Sequence, residues 1–458
     1  MVFSSPVFLF AFLPAVFLLE RLCPTLRLKN ALLAAASLVF YAFGQLVFLP
    51  LFLGSVLLNY LAGLGLMRLK QGRKGLLALA VMLNLSLLGV FKYGDFVLQN
   101  LGQAPAGILL PIGISFFTFQ GMSYVIDVYR DPESGTADFG KLLLYLAFFP
   151  QLIAGPIVKY HDIAPQIDQR RTDPASTEEG LRRFIRGLGK KLLIADAVGK
   201  IADAVFSGGT GDLRLAWLGA LCYTLQIYYD FSAYSDMAIG MGRMFGFRLK
   251  ENFLHPYAAV SLQDFWRRWH VSLSSWFKEY LYIPLGGNRK GRLRTALNRL
   301  LVFICTGFWH GANWTFLVWG LGHGLLSSLE GALPAEKLRQ SQAGRLLSRF
   351  LTLLAVTLLF VVFRAESLSS AGAMLAALFA GRITAAGSVE LVRLLQPAVL
   401  LAMVLALLFA GGLRERICAR LSAPVFGHLA RVGSLALLFL CILSLSTGGF
   451  HPFLYFQF

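Results

Sequence analysis

Long apolar runs separated by short polar segments dominate the chain. An α-helix of roughly 20 apolar residues crosses the ~30 Å hydrocarbon core of a bilayer. The runs lack the alternation of apolar and polar residues that transmembrane β-strands require. The pattern therefore predicts an all-α fold, a polytopic transmembrane helical bundle with about ten to twelve spanning helices plus re-entrant or interfacial helices. The runs behind this prediction cover residues 2–19, 46–67, 75–91, 106–126, 192–206, 213–231, 300–320, 350–363, 396–413 and 432–447.

The apolar segment at residues 142–158 is interrupted by helix-breaking residues, namely Pro150 and the pair Gly155 and Pro156. The polar segments on both sides of it have the character of cytoplasmic loops. A segment with both flanks on one side of the membrane is better interpreted as re-entrant than as spanning. Because irregular backbone is tolerated at membrane depth only where it is buried or lines a cavity, we expect residues 148–158 to belong to the interior of a site.

Composition supports a membrane protein, since the 458 residues are 57% hydrophobic and only 14% charged, far from the average of soluble domains. The sequence contains no internal repeat, low-complexity tract or flexible linker. One integral membrane domain covering residues 1–458 is therefore the simplest division. The five cysteines occur singly, without the spacing of a zinc site, so we interpret them as packing residues and predict no metal site.

The formal net charge is +18, and the basic residues gather in short segments between apolar runs. This placement follows the positive-inside rule and argues against a nucleic acid partner, whose binding requires a water-exposed basic surface. The first run has no Lys or Arg before it and Arg21 and Arg27 after it, so we expect an extracytoplasmic N-terminus. This run also lacks the basic start and the cleavage site of a signal peptide, which predicts a retained helix.

Two further basic segments are expected on the cytoplasmic side. Residues 178–191 predict a basic amphipathic helix lying on the anionic membrane surface. Residues 248–299 combine arginines with Trp and Tyr, and two interpretations stay open: an interfacial loop with aromatic anchors, or a mouth that binds the phosphates of an anionic donor. The basic residues available for phosphate binding are Arg267, Arg268, Arg289, Lys290, Arg292 and Arg294.

Two histidines, His310 and His323, lie inside an apolar stretch, residues 307–324. An ionisable side chain at membrane depth is costly and is therefore a candidate for function, although each imidazole could instead join two helices by hydrogen bonds. Further candidates for substrate contact in this stretch are Trp309, Asn313 and Trp319. On one continuous helix, thirteen residues correspond to ~220° of rotation and ~20 Å of rise, which would keep the imidazoles apart. Several glycines offer places where the helix could break, so a bent path lined by both histidines stays open.

Asp230 and Asp236 lie in a polar cluster near the predicted cytoplasmic end of the 213–231 run. These aspartates could orient a catalytic base or accept hydrogen bonds from arginines of the 248–299 segment. They could equally be helix caps with salt bridges at the membrane interface. The sequence contains no G-x-S-x-G, P-loop or H-E-x-x-H motif, which disfavours several other classes of enzyme.

Five segments resemble the membrane-bound O-acyltransferase family, and most of all its bacterial branch of alginate O-acetyltransferase membrane subunits. They are SFFTFQGMSYVIDVYR (115–130), FFPQLIAGPIVKY (148–160), YYDFSAYSDMAIG (228–240), NFLHPYAAVSLQDFWRRWHVSLSSWFKEYLYIPLGGN (252–288) and GFWHGANWTFLVWGLGHG (307–324). The resemblance implies that His323, in a WGxxHG-like segment, is the central catalytic residue, and that His310 occupies a second, usually polar, position. It leaves two roles open for His323, as a general base or as a nucleophile.

The resemblance also implies the reactants and the partners. A thioester donor, with acetyl-CoA favoured, would enter from the cytoplasm as a co-substrate, and no bound cofactor is expected. The acceptor would be an extracytoplasmic polysaccharide, peptidoglycan or similar polymer, acetylated directly or through a separate extracytoplasmic partner protein. The expected location is the bacterial inner membrane, in contact with lipid. A transporter or flippase for a lipid-linked or anionic substrate is the alternative, since it too would need buried polar residues.

Overall fold

The computed structural model describes residues 1–153, 155–208, 211–332, 338–379, 382–413, 423–447 and 453–454. Within these residues the secondary structure is helical and contains no β-strand, which confirms the predicted all-α class. In the same residues, four helical stretches are long and apolar enough to cross a membrane, or five if one pair bent by 78° is a single span. The predicted ten to twelve spans are not confirmed by this count. Several apolar runs form helices that are too short or too polar to qualify.

The chain forms two compact units. The first comprises Met1–Ile185 and Tyr234–Glu251, and the second comprises Arg186–Ala233 and Asn252–Phe458. The division into one domain stays a prediction. In the first unit the helices are α1 (Leu13–Leu22), α2 (Leu26–Gln45), α3 (Leu49–Arg68), α4 (Arg73–Phe91), α5 (Gly94–Asn100), α6 (Ile114–Arg130), α7 (Phe139–Ala147), α8 (Phe149–Leu152), α9 (Tyr160–Gln169) and most of α10 (Pro174–Gly189).

Close packing of α3 against α4 and α6 organises the first unit. A Cβ atom added to Gly63 on α3 would lie 2.5 Å from the Tyr124 hydroxyl oxygen on α6, so only glycine allows this approach. Asn59 and Asn84 exchange two amide hydrogen bonds of 3.2 and 3.0 Å between α3 and α4. Both amides are fully buried. The reciprocal pair satisfies groups that would be costly to bury alone.

The irregular segment after α7 lies inside the first unit. Residues 148–153 and 155–158 are buried, and their place in the interior of a site stays a prediction. Gln151 donates to the Tyr145 carbonyl oxygen at 2.6 Å, and the Tyr145 hydroxyl donates to the Val158 carbonyl oxygen at 2.9 Å. Side chains therefore satisfy backbone groups that a helix would otherwise pair internally. Whether the segment is re-entrant stays a prediction.

The second unit contains the candidate histidines. One long helix, α12 (Leu213–Met244), belongs to it up to residue 233 and continues into the first unit. The other helices of this unit are α11 (Asp196–Gly208), α13 (Leu262–Arg268), α14 (Val271–Phe277), α15 (Gly291–His310), α16 (Trp314–Ala332), α17 (Gln342–Arg364), α18 (Leu368–Phe379), α19 (Ala385–Leu394), α20 (Pro397–Ala410) and α21 (Ala423–Thr447).

The apolar run at residues 300–320 is not one helix. It belongs to two helices, because α15 ends at His310, Gly311 is extended, and α16 begins at Trp314. Asn313 accepts a hydrogen bond from the Thr315 amide at 3.1 Å and so satisfies a donor at the start of α16. The prediction of a single span was wrong here, since apolar composition alone does not reveal a side-chain cap.

Glycines bring α15 and α16 into backbone contact. A Cβ atom added to Gly307 would overlap the Phe316 carbonyl oxygen, and one added to Gly320 would overlap the Phe303 carbonyl oxygen. Small residues at a helix crossing allow backbones to approach closely, which is common in membrane bundles. The two helices therefore pack tightly, and the side chains near the crossing lie close together.

We predict that Gly307→Ala destabilises the protein by about 1–3 kcal/mol, because the added methyl group overpacks the crossing. Gly372→Ala on α18 is the matched control, since a Cβ atom there would meet nothing within 4 Å. Alanine is the better helix former, so the control should be stabilised by up to about 1 kcal/mol. Thermal unfolding in one detergent compares the two variants. Equal stability of both would contradict the close crossing of α15 and α16.

Candidate functional site

The His323 side chain is fully buried on α16. Four aromatic rings surround its imidazole. The centroid distances are 4.9 Å to Trp319, 5.2 Å to Trp266, 6.1 Å to Phe303 and 6.3 Å to Phe265. The Trp266 indole nitrogen donates a hydrogen bond of 3.2 Å to His323 Nδ1. His323 Nε2 has no hydrogen-bond partner among the residues that the structure describes.

His310 ends α15 and is also buried. Its ring lies 5.2 Å from Trp319 and 5.2 Å from Phe363, with edge-to-face geometry in both cases. Since the His310 and His323 rings lie 5.2 and 4.9 Å from the Trp319 indole, they are at most about half as far apart as the ~20 Å expected on a continuous helix. The break between α15 and α16 causes this difference. The structure therefore supports the bent path that the spacing left open.

A small cavity lies beside His310 in the second unit. Its volume allows about one water molecule. His310 and Asp230 are polar side chains of its wall, and Trp319, whose ring contacts that of His323, also belongs to the lining. The lining residues are Ile227, Asp230, Phe231, Trp269, His310, Trp319, Phe360, Phe363 and Leu454.

Asp230 belongs to a buried charged cluster. Lys191 donates to Asp230 Oδ1 at 2.7 Å and also pairs with Asp196 at 2.8 Å. The Leu454 amide donates to Asp230 Oδ2 at 2.8 Å, and the Lys191 ammonium lies 4.6 Å from the centre of the Phe453 ring. This network fixes one wall of the cavity. Of the alternatives left open for Asp230, acceptance from arginines of the 248–299 segment is not observed among the described residues, and Lys191 pairs with its carboxylate instead.

The position of Lys191 differs from the prediction of a basic surface helix over residues 178–191. The helix α10 forms as expected, but Lys191 lies just after it, in a π-helical turn at Lys190–Ala195. Five-residue spacing along a π-helical turn brings Lys191 and Asp196 to one side. Lys191 and Asp196, five positions apart at the start of an apolar run, are the signal in the sequence for this pair.

Asp236, the second aspartate of the predicted cluster, forms an ion pair within the first unit. Arg183 on α10 donates to Asp236 at 2.9 Å and pairs with Glu251 at 2.5 Å. Asp236 thus pairs with an arginine of the basic segment 178–191.

Asn313 and Trp309 have different surroundings. Asn313 caps the start of α16 and donates to the Glu366 carbonyl oxygen at 2.9 Å. Its observed contacts are therefore structural. Trp309 is buried, and its ring lies 5.1 Å from His310. Trp309 thus remains close to the candidate site, together with Trp319.

His270 is a buried histidine that the sequence analysis missed. It lies 3.2 Å from Asn252 Oδ1 through Nδ1, and its ring is 5.8 Å from that of Trp309. The surrounding segment, residues 248–299, was expected at the membrane interface, yet several of its aromatic residues are buried inside the protein. These are Trp266, Trp269, Trp276 and Tyr280. Aromatic rings suit a packed core as well as an interface, so composition did not distinguish the two.

The six basic residues of this segment that were named for phosphate binding divide into two groups. Arg268 forms an ion pair of 2.8 Å with Asp264 within α13. The others are exposed and available to an anionic ligand: Arg267, Arg289, Lys290, Arg292 and Arg294. Among the described residues, no group of three or more His, Cys, Asp or Glu side chains could hold a metal ion. Cys23, Cys222, Cys305 and Cys441 are free thiols, and Cys418 lies outside the described residues.

Comparisons with known proteins agree with the motifs. The sequence model of the membrane-bound O-acyltransferase family matches residues 34–335. A probable alginate O-acetylase of Pseudomonas putida is 41% identical over the whole length of both chains. A peptidoglycan O-acetyltransferase of Helicobacter pylori is 39% identical, covering 81% of this chain and 78% of that protein. A teichoic acid D-alanyltransferase of Bacillus subtilis is 25% identical, covering 56% of this chain and 67% of that protein.

We predict that Lys191→Met destabilises the protein by about 3–5 kcal/mol, because it leaves buried carboxylates without their cation. The double variant Lys191→Met/Asp230→Asn should recover part of this loss. Arg393→Met, which breaks an exposed pair with Glu390, is the control and should change little. Unfolding in detergent measures all three. A Lys191 variant as stable as the control would contradict the buried network.

Proposed function

The chain belongs to the membrane-bound O-acyltransferase family, and we propose that it passes an acetyl group across the membrane to a polymer hydroxyl. The donor is a cytoplasmic acyl-CoA, with acetyl-CoA favoured, and the acceptor is an extracytoplasmic polysaccharide, peptidoglycan or similar polymer. His323 is the central residue. The observation that carries the proposal is its buried imidazole, whose Nε2 no described residue satisfies. A buried polar atom of this kind is costly unless a ligand uses it.

The names of the relatives support the class of reaction. Two relatives near 40% identity are named for O-acetyl transfer to alginate or peptidoglycan, and a more distant one is named for D-alanyl transfer to teichoic acid. The shared chemistry is the transfer of a small acyl group to a cell-envelope polymer. Because both nearer relatives are named for acetyl transfer, acetyl is the favoured group here.

The exposed basic residues support a cytoplasmic donor site. CoA is polyanionic, so its head group cannot enter the hydrocarbon core and must stay in a wetted, basic region. Arg267, Arg289 and Lys290 are exposed, and arginine in particular binds phosphate through paired hydrogen bonds. Only the slim pantetheine arm would then reach the buried His323.

Two roles for His323 agree with this scheme. As a general base it would take the proton of the acceptor hydroxyl, and as a nucleophile it would carry the acyl group briefly. His310, which lines the adjacent cavity, would orient the acceptor. We further propose the inner membrane as the location, an extracytoplasmic N-terminus, and a separate extracytoplasmic partner protein that delivers the group to the polymer.

We predict that His323→Ala abolishes acyl transfer while expression and membrane insertion stay near normal. The measurement is transfer of labelled acetyl from acetyl-CoA in vesicles that contain the chain and its partner protein. His428→Ala is the matched control, since His428 is an exposed histidine on α21. Full transfer by the His323 variant, at equal protein level, would rule out the assigned role. Movement of an intact lipid-linked substrate without acyl transfer would support a transporter instead.

We predict that the double variant Arg289→Gln/Lys290→Gln raises the KM for the acyl-CoA donor about tenfold, as expected for one lost charge-assisted contact. The kcat should change much less, because the lost interaction is equal in the ground and transition states. Arg345→Gln/Arg349→Gln removes the same charge from exposed positions of α17 and is the control. The same KM in both double variants would mean that residues 289–290 do not bind the donor.

A further inference from the structure

The hydrogen bond from Trp266 determines which nitrogen of His323 carries the proton. An indole nitrogen is a donor only, so His323 Nδ1 must accept with its lone pair. The distance of 3.2 Å between the two nitrogens is within the range of a hydrogen bond. A doubly protonated ring would place two N–H groups against each other. The aromatic surroundings of His323 also disfavour a charge, and neither ring nitrogen is hydrogen-bonded to a carboxylate among the described residues.

A neutral imidazole has one proton, and it must therefore be on Nε2. His323 Nε2 is buried and has no acceptor among the residues that the structure describes. Buried donors in folded proteins almost always have a partner, and an exception calls for an explanation. The direct explanation for the buried Nε2–H group of His323 is that a ligand supplies its acceptor atom.

The position of Trp266 relative to His323 is fixed by contacts between α13 and α16. The Gln263 amide donates to Glu330 at 3.2 Å, and the Gln263 side chain lies 3.4 Å from the Ser327 carbonyl oxygen. Ser327 and Glu330 follow His323 by four and seven residues, so they lie on the same face of α16. Hydrogen bonds of Gln263, rather than of either ring, thereby hold the Trp266 indole against the His323 imidazole.

We propose that Trp266 is a positioning residue that holds His323 as an Nε2–H donor to the carbonyl oxygen of the acyl thioester. This inference rests on the proposed function. The acceptor hydroxyl oxygen attacks the carbonyl carbon, a new C–O bond forms, and the C–S bond breaks. The hydroxyl proton ends on the departing sulfur, and His323 keeps its own proton throughout. The N–H stabilises the negative charge that develops on the carbonyl oxygen.

This role differs from both roles considered above. A base or a nucleophile needs a free lone pair on nitrogen. In His323 one lone pair accepts from Trp266 and the other nitrogen carries the proton. Either role would first require the Trp266 hydrogen bond to break. The observed geometry instead prepares a donor without any rearrangement.

The first test reads the tautomer directly and does not depend on activity. Nitrogen-15 NMR of the full chain, labelled at histidine, distinguishes protonated from unprotonated ring nitrogens. The signals of His323 are those lost in the His323→Gln variant. We expect a protonated Nε2 and an unprotonated Nδ1, and a shift towards the other tautomer in Trp266→Phe. A wild-type signal with the proton on Nδ1 would overturn the proposal.

The second test uses activity. Trp266→Phe keeps an aromatic ring but removes the N–H, and we expect kcat to fall about tenfold or more with little change in the donor KM. Trp217→Phe is the matched control, because it removes an indole hydrogen bond of 3.0 Å to the Leu378 carbonyl oxygen away from His323. An unchanged kcat in Trp266→Phe would overturn the proposal.

The His323→Gln variant separates the donor role from the alternatives. Glutamine retains N–H donors but is neither a base nor a nucleophile at this position. We expect it to retain measurable transfer, well above that of His323→Ala. Equal loss in both variants would overturn the donor role. Absence of acyl transfer by the wild-type chain would instead refute the proposed function. The NMR test would still report the tautomer of His323.

Discussion

The close approach of α15 and α16 at Gly307 and Gly320 is the contact on which the candidate site depends. Because neither glycine has a side chain, the backbones meet, and the turn after His310 brings α16 back along α15. Trp319 then contacts both His310 and His323. A larger spacing between these helices would separate the two imidazoles and open the aromatic enclosure.

Most buried polar groups among the described residues have a hydrogen-bond or ion-pair partner. This pairing offsets the cost of burying them in an apolar fold. Asn59 and Asn84 satisfy each other, and Lys191 lies between two carboxylates. His323 is satisfied only in part, because Nδ1 accepts from Trp266 and Nε2 has no partner among the described residues. A half-satisfied group in such surroundings is stable only where the rest of the structure holds it, which is the expected property of a site that binds a ligand.

The pattern of apolar residues along the chain predicted those helices that depend mainly on neighbouring residues. The run at residues 75–91 appears as α4, and the run at 46–67 appears as α3, because hydropathy and helix formation depend on neighbouring residues. The histidines were identified for the cost of burying them and for their motifs. The partners of Asp230 could not be predicted, since Lys191 and Leu454 approach it only in the folded chain. Trp266 was equally hidden, because its indole fits an interface as well as a buried hydrogen bond.

The hydrogen bond between Leu454 and Asp230 joins residues 224 positions apart, and this has a consequence for biosynthesis. Lys191 and Asp196 precede Asp230, so the charged cluster can assemble as soon as α12 has been inserted. The cavity wall at Leu454 must wait for the intervening residues, roughly 10–45 s of translation at ~5–20 residues per second. During that interval the nascent chain has its charges neutralised but no closed cavity. A partly made protein therefore lacks the part of the cavity wall beside His310 that Leu454 supplies until residue 454 has been made.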